Sequence, residues 1–120
     1  MTVEDTLDRY DQAWNEDDEE TCRAHLRACL TDDGVYCDPT VEVVGPDALA
    51  AHIGETRRAF GGSRIKRTSG FEQHHGYGRF EWRMTSNEDE LIVDGFDVVR
   101  LATDGRFRSI VGFFGPFPQH

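Results

Sequence analysis

The sequence predicts an α+β fold, in which helices from the first half of the chain pack on one face of a curved antiparallel sheet. Apolar residues recur at helical spacing mainly within residues 3–60, whereas most of the remaining chain alternates with the period of a β-strand. The chain has 120 residues, and no repeat, low-complexity segment or long linker divides it. We therefore expect a single domain over residues 1–120.

Composition excludes several classes of function. The formal net charge of -10 opposes binding to nucleic acid or to anionic lipid, because phosphate contacts require a basic patch. No apolar run approaches the roughly 18 residues of a membrane helix, and the first residues are acidic, which predicts a cytoplasmic protein without a secretory signal. Cys22, Cys29 and Cys37 lack metal-binding or redox spacing, and Cys22 and Cys29 are interpreted as small buried residues.

Three helices are predicted from apolar stripes and their end signals. The first follows Thr2 and ends near Trp14, and the second ends near Leu30. Pro46 lies near the first position of the third, where its missing N–H costs nothing, and Gly61 ends it. The predicted buried faces are Val3, Leu7, Tyr10 and Trp14, then Cys22, Leu26, Cys29 and Leu30, then Leu49, Ile53, Thr56 and Phe60.

The strands follow from alternation and from turn residues. They are predicted over residues 34–38, 41–44, 64–72, 77–86, 91–101 and 106–114, with a turn at Asp32-Asp33-Gly34. The first of these strands places Tyr36 and Asp38 on one face. The fourth is the most regular, since Phe80, Trp82 and Met84 share one face.

The last two strands form a hairpin with an unusual inner face. A two-residue turn at Asp104-Gly105 places Asp97 opposite Gly112, with Ile110 and Phe114 on the same side. A carboxylate on an apolar face requires a partner or a function. The other face is also apolar, which predicts a homodimer formed through the outer face of the sheet; its residues are Phe96, Val98, Phe107, Val111 and Phe113.

The element order, Tyr10 on the first helix and two segments of sequence resemble the nuclear transport factor 2-like superfamily. The segments are Asp32-Asp33-Gly34-Val35-Tyr36-Cys37-Asp38-Pro39 and Asp97-Val98-Val99-Arg100-Leu101, the latter followed by Gly105-Arg106. The resemblance is closer to the branch of SnoaL-like polyketide cyclases and ketosteroid isomerases. It implies a cone-shaped α+β barrel whose sheet wraps around three helices, with a pocket for a small hydrophobic molecule and no need for a cofactor or metal.

In ketosteroid isomerase, an aspartate base works with a tyrosine and a protonated aspartic acid that donate hydrogen bonds to the oxyanion. The resemblance implies these roles for Asp38, Tyr10 and Asp97, respectively. SnoaL-like cyclases also resemble this chain at Asp97, where an aspartate serves as acid and base. The predicted substrate-binding residues are Trp14, Phe60, Phe80, Trp82, Met84, Ile110, Gly112 and Phe114.

Each candidate also has a structural interpretation. Asp97 could be tied to Tyr10, His52 or an arginine, Asp38-Pro39 is an ordinary turn at the end of a strand, and Tyr10 lies on a helical face that is typical of a core. The pair His74-His75 suggests a metal ligand or a residue at the pocket mouth, but its position before Gly76 is more typical of a turn.

Two functions remain open. The first is an isomerase or cyclase that moves a proton between an aspartate and a small apolar carbonyl compound. The second is a non-catalytic dimer that binds a hydrophobic ligand or a protein partner. A cavity of roughly 300 Å³ or more with both aspartates on its wall would favour chemistry. A cone filled by Trp14, Phe80, Trp82 and Phe114 would favour the second.

Overall fold

The computed structural model describes residues 1–120. It contains three helices and seven strands: α1 (Val3–Trp14), α2 (Glu19–Cys29), β1 (Leu30–Asp38), β2 (Val41–Val44), α3 (Pro46–Ala59), β3 (Ser63–Arg67), β4 (Glu72–His74), β5 (Tyr77–Ser86), β6 (Leu91–Leu101) and β7 (Phe107–Phe114). The predicted α+β class and the three helices are confirmed. None of the helices combines the length and the apolar character needed to cross a membrane.

The helix ends follow the sequence signals. Thr2 caps α1, because its hydroxyl accepts a hydrogen bond from the Asp5 amide at 3.1 Å while the Asp5 carboxylate accepts one from the Thr2 amide. Asp18 caps α2, because its carboxylate accepts a hydrogen bond from the Thr21 amide. Cys22 and Cys29 lie in the core as free thiols, as predicted. The apolar faces of the three helices pack together and against the concave side of the sheet.

The strands form one sheet in the order β2-β1-β7-β6-β5-β3, with β4 also paired to β5. Every pairing is antiparallel except that of β1 with β7, which is parallel. The prediction of an antiparallel sheet was therefore wrong for this pair of strands. Hairpin turns impose opposite directions on neighbouring strands, but β1 and β7 are separated by most of the chain. Their relative direction is therefore decided by packing.

Two local predictions were also wrong. The predicted turn at Asp32-Asp33-Gly34 lies inside β1, where the pairing with β7 shifts register between Leu30 and Val35. The predicted strand over residues 64–72 is two strands, β3 and β4, which pair with different parts of β5. The chain leaves the sheet between them, and the Phe71 ring packs over Gly78 and lies 6.2 Å from the Phe80 ring.

The final hairpin has the predicted register at Asp97 and Gly112, although its turn differs. The loop has three residues, Thr103 to Gly105, and is closed by the Ala102 amide donating to the Arg106 carbonyl at 2.8 Å. A bulge at Arg108 then restores the register that a two-residue turn would give. This extra residue reverses the side on which Phe107 lies. Its predicted place on the outer face was wrong, since Phe107 is fully buried against Tyr10.

Candidate functional site

A cavity of about 570 Å³ lies between α1, α3 and the concave face of the sheet. This volume is within the range of small-molecule sites, roughly 300–1,000 Å³. The structure places nine predicted site residues on its wall: Tyr10, Trp14, Asp38, Phe60, Phe80, Trp82, Met84, Asp97 and Phe114. Ile110 and Gly112 do not line it. Ile110 is fully buried in the core, and Gly112 has no side chain to present.

Asp97 lies in the middle of β6 and is 5% exposed. Its Oδ1 accepts a hydrogen bond from the Trp82 indole Nε1–H at 2.9 Å, and its Oδ2 has no hydrogen-bond partner. Burial raises the pKa of Asp97 to about 7; the Trp82 hydrogen bond opposes this rise, and the negative charge of Asp38 adds to it. The carboxyl group therefore holds or releases a proton near neutral pH. Its partner is Trp82, which the sequence interpretation placed on the pocket wall but not in contact with Asp97.

Asp38 ends β1 and is held by several donors. Oδ2 accepts from the Tyr36 hydroxyl at 2.6 Å and lies 3.4 Å from Nε2 of His52. Oδ1 accepts from the Thr40 amide at 2.7 Å and from its hydroxyl at 2.6 Å. Burial acts to raise the pKa of Asp38, but the hydrogen bonds from Thr40 and Tyr36 and the neighbouring His52 outweigh it and lower the pKa. Asp38 is therefore ionised where Asp97 is still protonated.

Gly112 brings the two carboxyl groups together. It pairs with Asp97 on one side, and the register of β1 with β7 places Asp38 on the other. A Cβ at Gly112 would lie 3.0 Å from Oδ1 of Asp97 and 3.4 Å from Cβ of Asp38. The missing side chain thus leaves room for two acids from strands that are not neighbours.

Two tyrosines also line the cavity. Tyr10 on α1 is buried edge-on against Phe80 and Phe107. Burial, and secondarily the charge of Asp97, raise its pKa well above the ordinary value, so the phenol remains a hydrogen-bond donor. Burial also raises the pKa of Tyr36, helped by its bond to Asp38. The shared face of Tyr36 and Asp38 on the predicted strand was the signal for this contact.

His52 is a site residue that the sequence interpretation missed. It lies on α3, its side chain is 11% exposed, and its ring packs 5.7 Å from Tyr36 and 6.1 Å from Trp14. The sequence interpretation considered it only as a possible structural partner of Asp97, whereas the structure places it beside Asp38. His52 and Asp38 belong to separate elements, α3 and β1, so no local sequence pattern predicted that they would be in contact.

The structure does not bring the histidine pair into the cavity. His74 ends β4 and His75 adopts a positive φ of 53° in the following turn, and both are exposed. Their Nδ1 atoms lie 3.1 Å apart, yet no group of three or more histidine, cysteine or acidic residues is arranged to hold a metal ion. The interpretation of this segment as a turn is confirmed for His75, whereas His74 is the last residue of β4.

A cone-shaped α+β fold with a cavity inside the sheet defines a class of small proteins. Similarity to known proteins assigns this chain to one family within that class. The family model of the SnoaL-like domain matches residues 7–110, so the chain belongs to the SnoaL-like family within the nuclear transport factor 2-like superfamily. No protein of curated function matches the sequence.

Solved structures agree with this assignment. A protein from Agrobacterium tumefaciens, named a putative isomerase of the SnoaL-like family, is 32% identical with a TM-score of 0.85, and the match covers 92% of this chain and 95% of that one. A putative SnoaL-like polyketide cyclase from Jannaschia sp. is 17% identical with a TM-score of 0.73, covering 93% and 83%. An NTF2-like protein of unknown function from Exiguobacterium sp. is 19% identical with a TM-score of 0.73, covering 93% and 99%.

Proposed function

We propose that this protein is an isomerase or cyclase that moves a proton on a small, apolar carbonyl compound bound in the cavity. The observation that supports it best is the pairing of unlike carboxyl groups across Gly112. The pKa of Asp97 is raised to about 7 while that of Asp38 is lowered, so one acid is protonated and the other ionised at the same pH. Pairs of acids driven apart in this way are typical of sites for acid–base catalysis.

In this mechanism Asp38 accepts a proton from the carbon next to the substrate carbonyl. Negative charge then develops on the carbonyl oxygen, where the protonated Asp97 and the Tyr10 phenol donate hydrogen bonds. Asp97 carries its proton on Oδ2, because Oδ1 accepts from Trp82. Return of the proton from Asp38 to a different carbon gives the isomer. Attack of the enolate carbon on a second carbonyl instead forms a ring, and the alkoxide left by the broken carbonyl π bond takes the proton from Asp38.

A second candidate is a binding domain without chemistry. It is favoured by the hydrogen bonds of Asp38, since Tyr36 and Thr40 stabilise the ionised form and make it a weak base. In that case Asp38 would fasten β1 to the turn that follows it, and the cavity would hold an apolar ligand unchanged.

Proton exchange distinguishes the two candidates. Small cyclic ketones would be incubated with the protein in D2O, and loss of the proton next to the carbonyl followed by NMR. We expect exchange in the wild type and a decrease of at least about 100-fold in Asp38→Asn, the usual range for a general base. Asp94→Asn is the matched control, since Asp94 precedes Gly95 on the other side of β6. Ketone binding without exchange would support the binding domain instead.

We also propose that the protein forms a homodimer through the outer face of the sheet. Phe96 and Phe113 stack there at 5.2 Å, and Phe117 packs against Phe96 at 5.7 Å. Phe113 is 49% exposed and Phe117 is 82% exposed in the single chain. An aromatic cluster of this kind on one face is typical of a subunit interface.

A further inference from the structure

The cavity has acidic side chains on its wall but no lysine or arginine, although the sequence contains 13 of those residues. The acidic residues are Asp11, Asp38, Glu55 and Asp97. His52 is the one lining side chain that can become a cation, and it already faces Asp38 at 3.4 Å. A bound carboxylate or phosphate would therefore find no free positive partner, and anions left unpaired in a cavity are strongly disfavoured.

Arg67, which binds the lining residue Asp11, does not make the cavity wall positive. Arg67 contacts Asp11 at 2.8 Å, Asp8 at 3.0 Å and Glu4 at 3.8 Å, so one guanidinium serves three carboxylates. That side of the cavity stays negative. Glu55 adds another charge at the exposed rim and has no ion-pair partner within 4.0 Å.

The apolar part of the wall is largely aromatic. Its rings belong to Tyr10, Trp14, Tyr36, Phe60, Phe80, Trp82 and Phe114. Faces of aromatic rings attract cations, and cavities that combine such rings with carboxylates are typical sites for ammonium groups. Oδ2 of Asp97 is an independent indication of a ligand, because it accepts no hydrogen bond from the protein and belongs to a cavity-lining residue that is only 5% exposed.

The geometry points to a ligand whose apolar body carries a protonated amine, with carboxylate- and phosphate-bearing compounds excluded. This inference rests on the proposed function only in that both require a small molecule in the cavity. It adds the charge class, which neither the proton-transfer mechanism nor the binding alternative specifies. The ammonium group would lie where the aromatic rings border the acidic rim near Glu55 and Asp11, and the apolar body would lie deeper among the rings.

A matched set of probes tests the charge class. Cyclohexylmethylamine, cyclohexylmethanol and cyclohexanecarboxylate share one carbon skeleton and differ only in the polar group. Binding would be followed at pH 7.5 by the two indole N–H signals of Trp14 and Trp82 in NMR spectra, since both rings line the cavity. We expect the amine to bind about tenfold more tightly than the alcohol, and the carboxylate to bind more weakly than the alcohol.

Variants test which side chain produces the preference for the amine. Glu55→Gln should reduce the preference for the amine over the alcohol by about threefold, without weakening the alcohol. Glu88→Gln is the matched control, because Glu88 is exposed in the hairpin between β5 and β6, outside the cavity wall. Equal binding of all three probes, or tighter binding of the carboxylate, would overturn the inference and leave the proposed function standing. If none of the three probes shifts an indole signal, the cavity is not a ligand site. That result would contradict both the inferred charge class of the ligand and the proposed proton transfer.

Discussion

Asp97 and Asp38 face one another across Gly112, and a Cβ there would lie 3.0 Å from Oδ1 of the first and 3.4 Å from Cβ of the second. The two acids come from β6 and β1, which flank β7 on opposite sides. Their proximity therefore depends on one residue that lacks a side chain. The pKa of Asp97 is raised because the residue is buried in an apolar wall, whereas the pKa of Asp38 is lowered because several hydrogen-bond donors surround it.

Gly112→Ala is expected to separate the two acids. The added methyl group must displace Asp97 or the backbone of β1, at a cost of about 1–3 kcal/mol in the free energy of unfolding. Chemical denaturation measures this loss, and NMR titration of the Asp97 carboxyl should show an altered pKa. Gly70→Ala is the control, because nothing lies within 4 Å of a Cβ at Gly70. Equal stability of the two variants would contradict the close approach.

Asp97→Asn is expected to stabilise the protein increasingly as pH rises. The pKa of Asp97 is about 7 when folded and close to 3.8 when unfolded, so between these values the folded state binds the extra proton. Wild-type stability therefore falls with rising pH across this window, whereas the variant lacks this dependence. Between pH 4 and pH 8, the free energy of unfolding of the variant should rise by on the order of 4 kcal/mol relative to that of the wild type. Denaturation at several pH values tests this, and a difference that does not vary with pH would refute it.

Trp82→Phe should raise the pKa of Asp97 further. The indole Nε1–H stabilises the ionised carboxylate through its bond to Oδ1 at 2.9 Å, and phenylalanine removes that donor. A ¹³C NMR titration of the aspartate carboxyl groups measures the change. Trp14→Phe is the matched control, since Trp14 lines the same cavity without bonding to Asp97. A pKa that rises equally in both variants would show that cavity polarity, not the indole bond, controls it.

Tyr36→Phe should raise the pKa of Asp38, because the hydroxyl that donates to Oδ2 at 2.6 Å is lost. Because the pKa of Asp38 is lower in the folded state than in the unfolded state, the ionised carboxylate stabilises the fold at a pH above its unfolded pKa. This stabilisation is lost as pH falls below about 4. The variant should therefore lose less stability than the wild type upon acidification. Tyr77→Phe, in an exposed position outside the cavity, should behave as the wild type does.

Phe113→Glu should convert the proposed dimer into a monomer. The substitution puts a charge into the aromatic cluster of Phe96, Phe113 and Phe117, and burying that charge without a partner is costly. Light scattering should give twice the chain mass of 13.6 kDa for the wild type and the chain mass itself for the variant. Leu91→Glu, at an exposed site at the far end of β6, serves as the control. A monomeric wild type at micromolar concentration would refute the proposal.

Much of the arrangement was predictable from local pattern. The stripe of α1, the alternation of Phe80, Trp82 and Met84, and the pairing of Asp97 with Gly112 depend on periodicity and on a nearby turn. The predicted buried face of α3 is correct at Leu49 and Ile53, whereas Phe60 lies beyond the end of the helix and is 50% exposed. Even the register of the last hairpin was predicted for a turn that the chain does not use, because the bulge at Arg108 compensates for the longer loop. The same bulge moved Phe107 from the outer face to the core.

The sequence by itself determined the α+β class, the faces of the helices and central strands, and the presence of acids on an apolar face. These properties follow from contacts between residues close in the chain or joined by a hairpin. Only the tertiary structure decided that β1 pairs in parallel with β7, that Asp38 lies beside Asp97 across Gly112, and that His52 lies beside Asp38. Those contacts join segments whose relative position depends on packing of the whole core, and the burial that separates the pKa values of the two acids arises only once that core has formed.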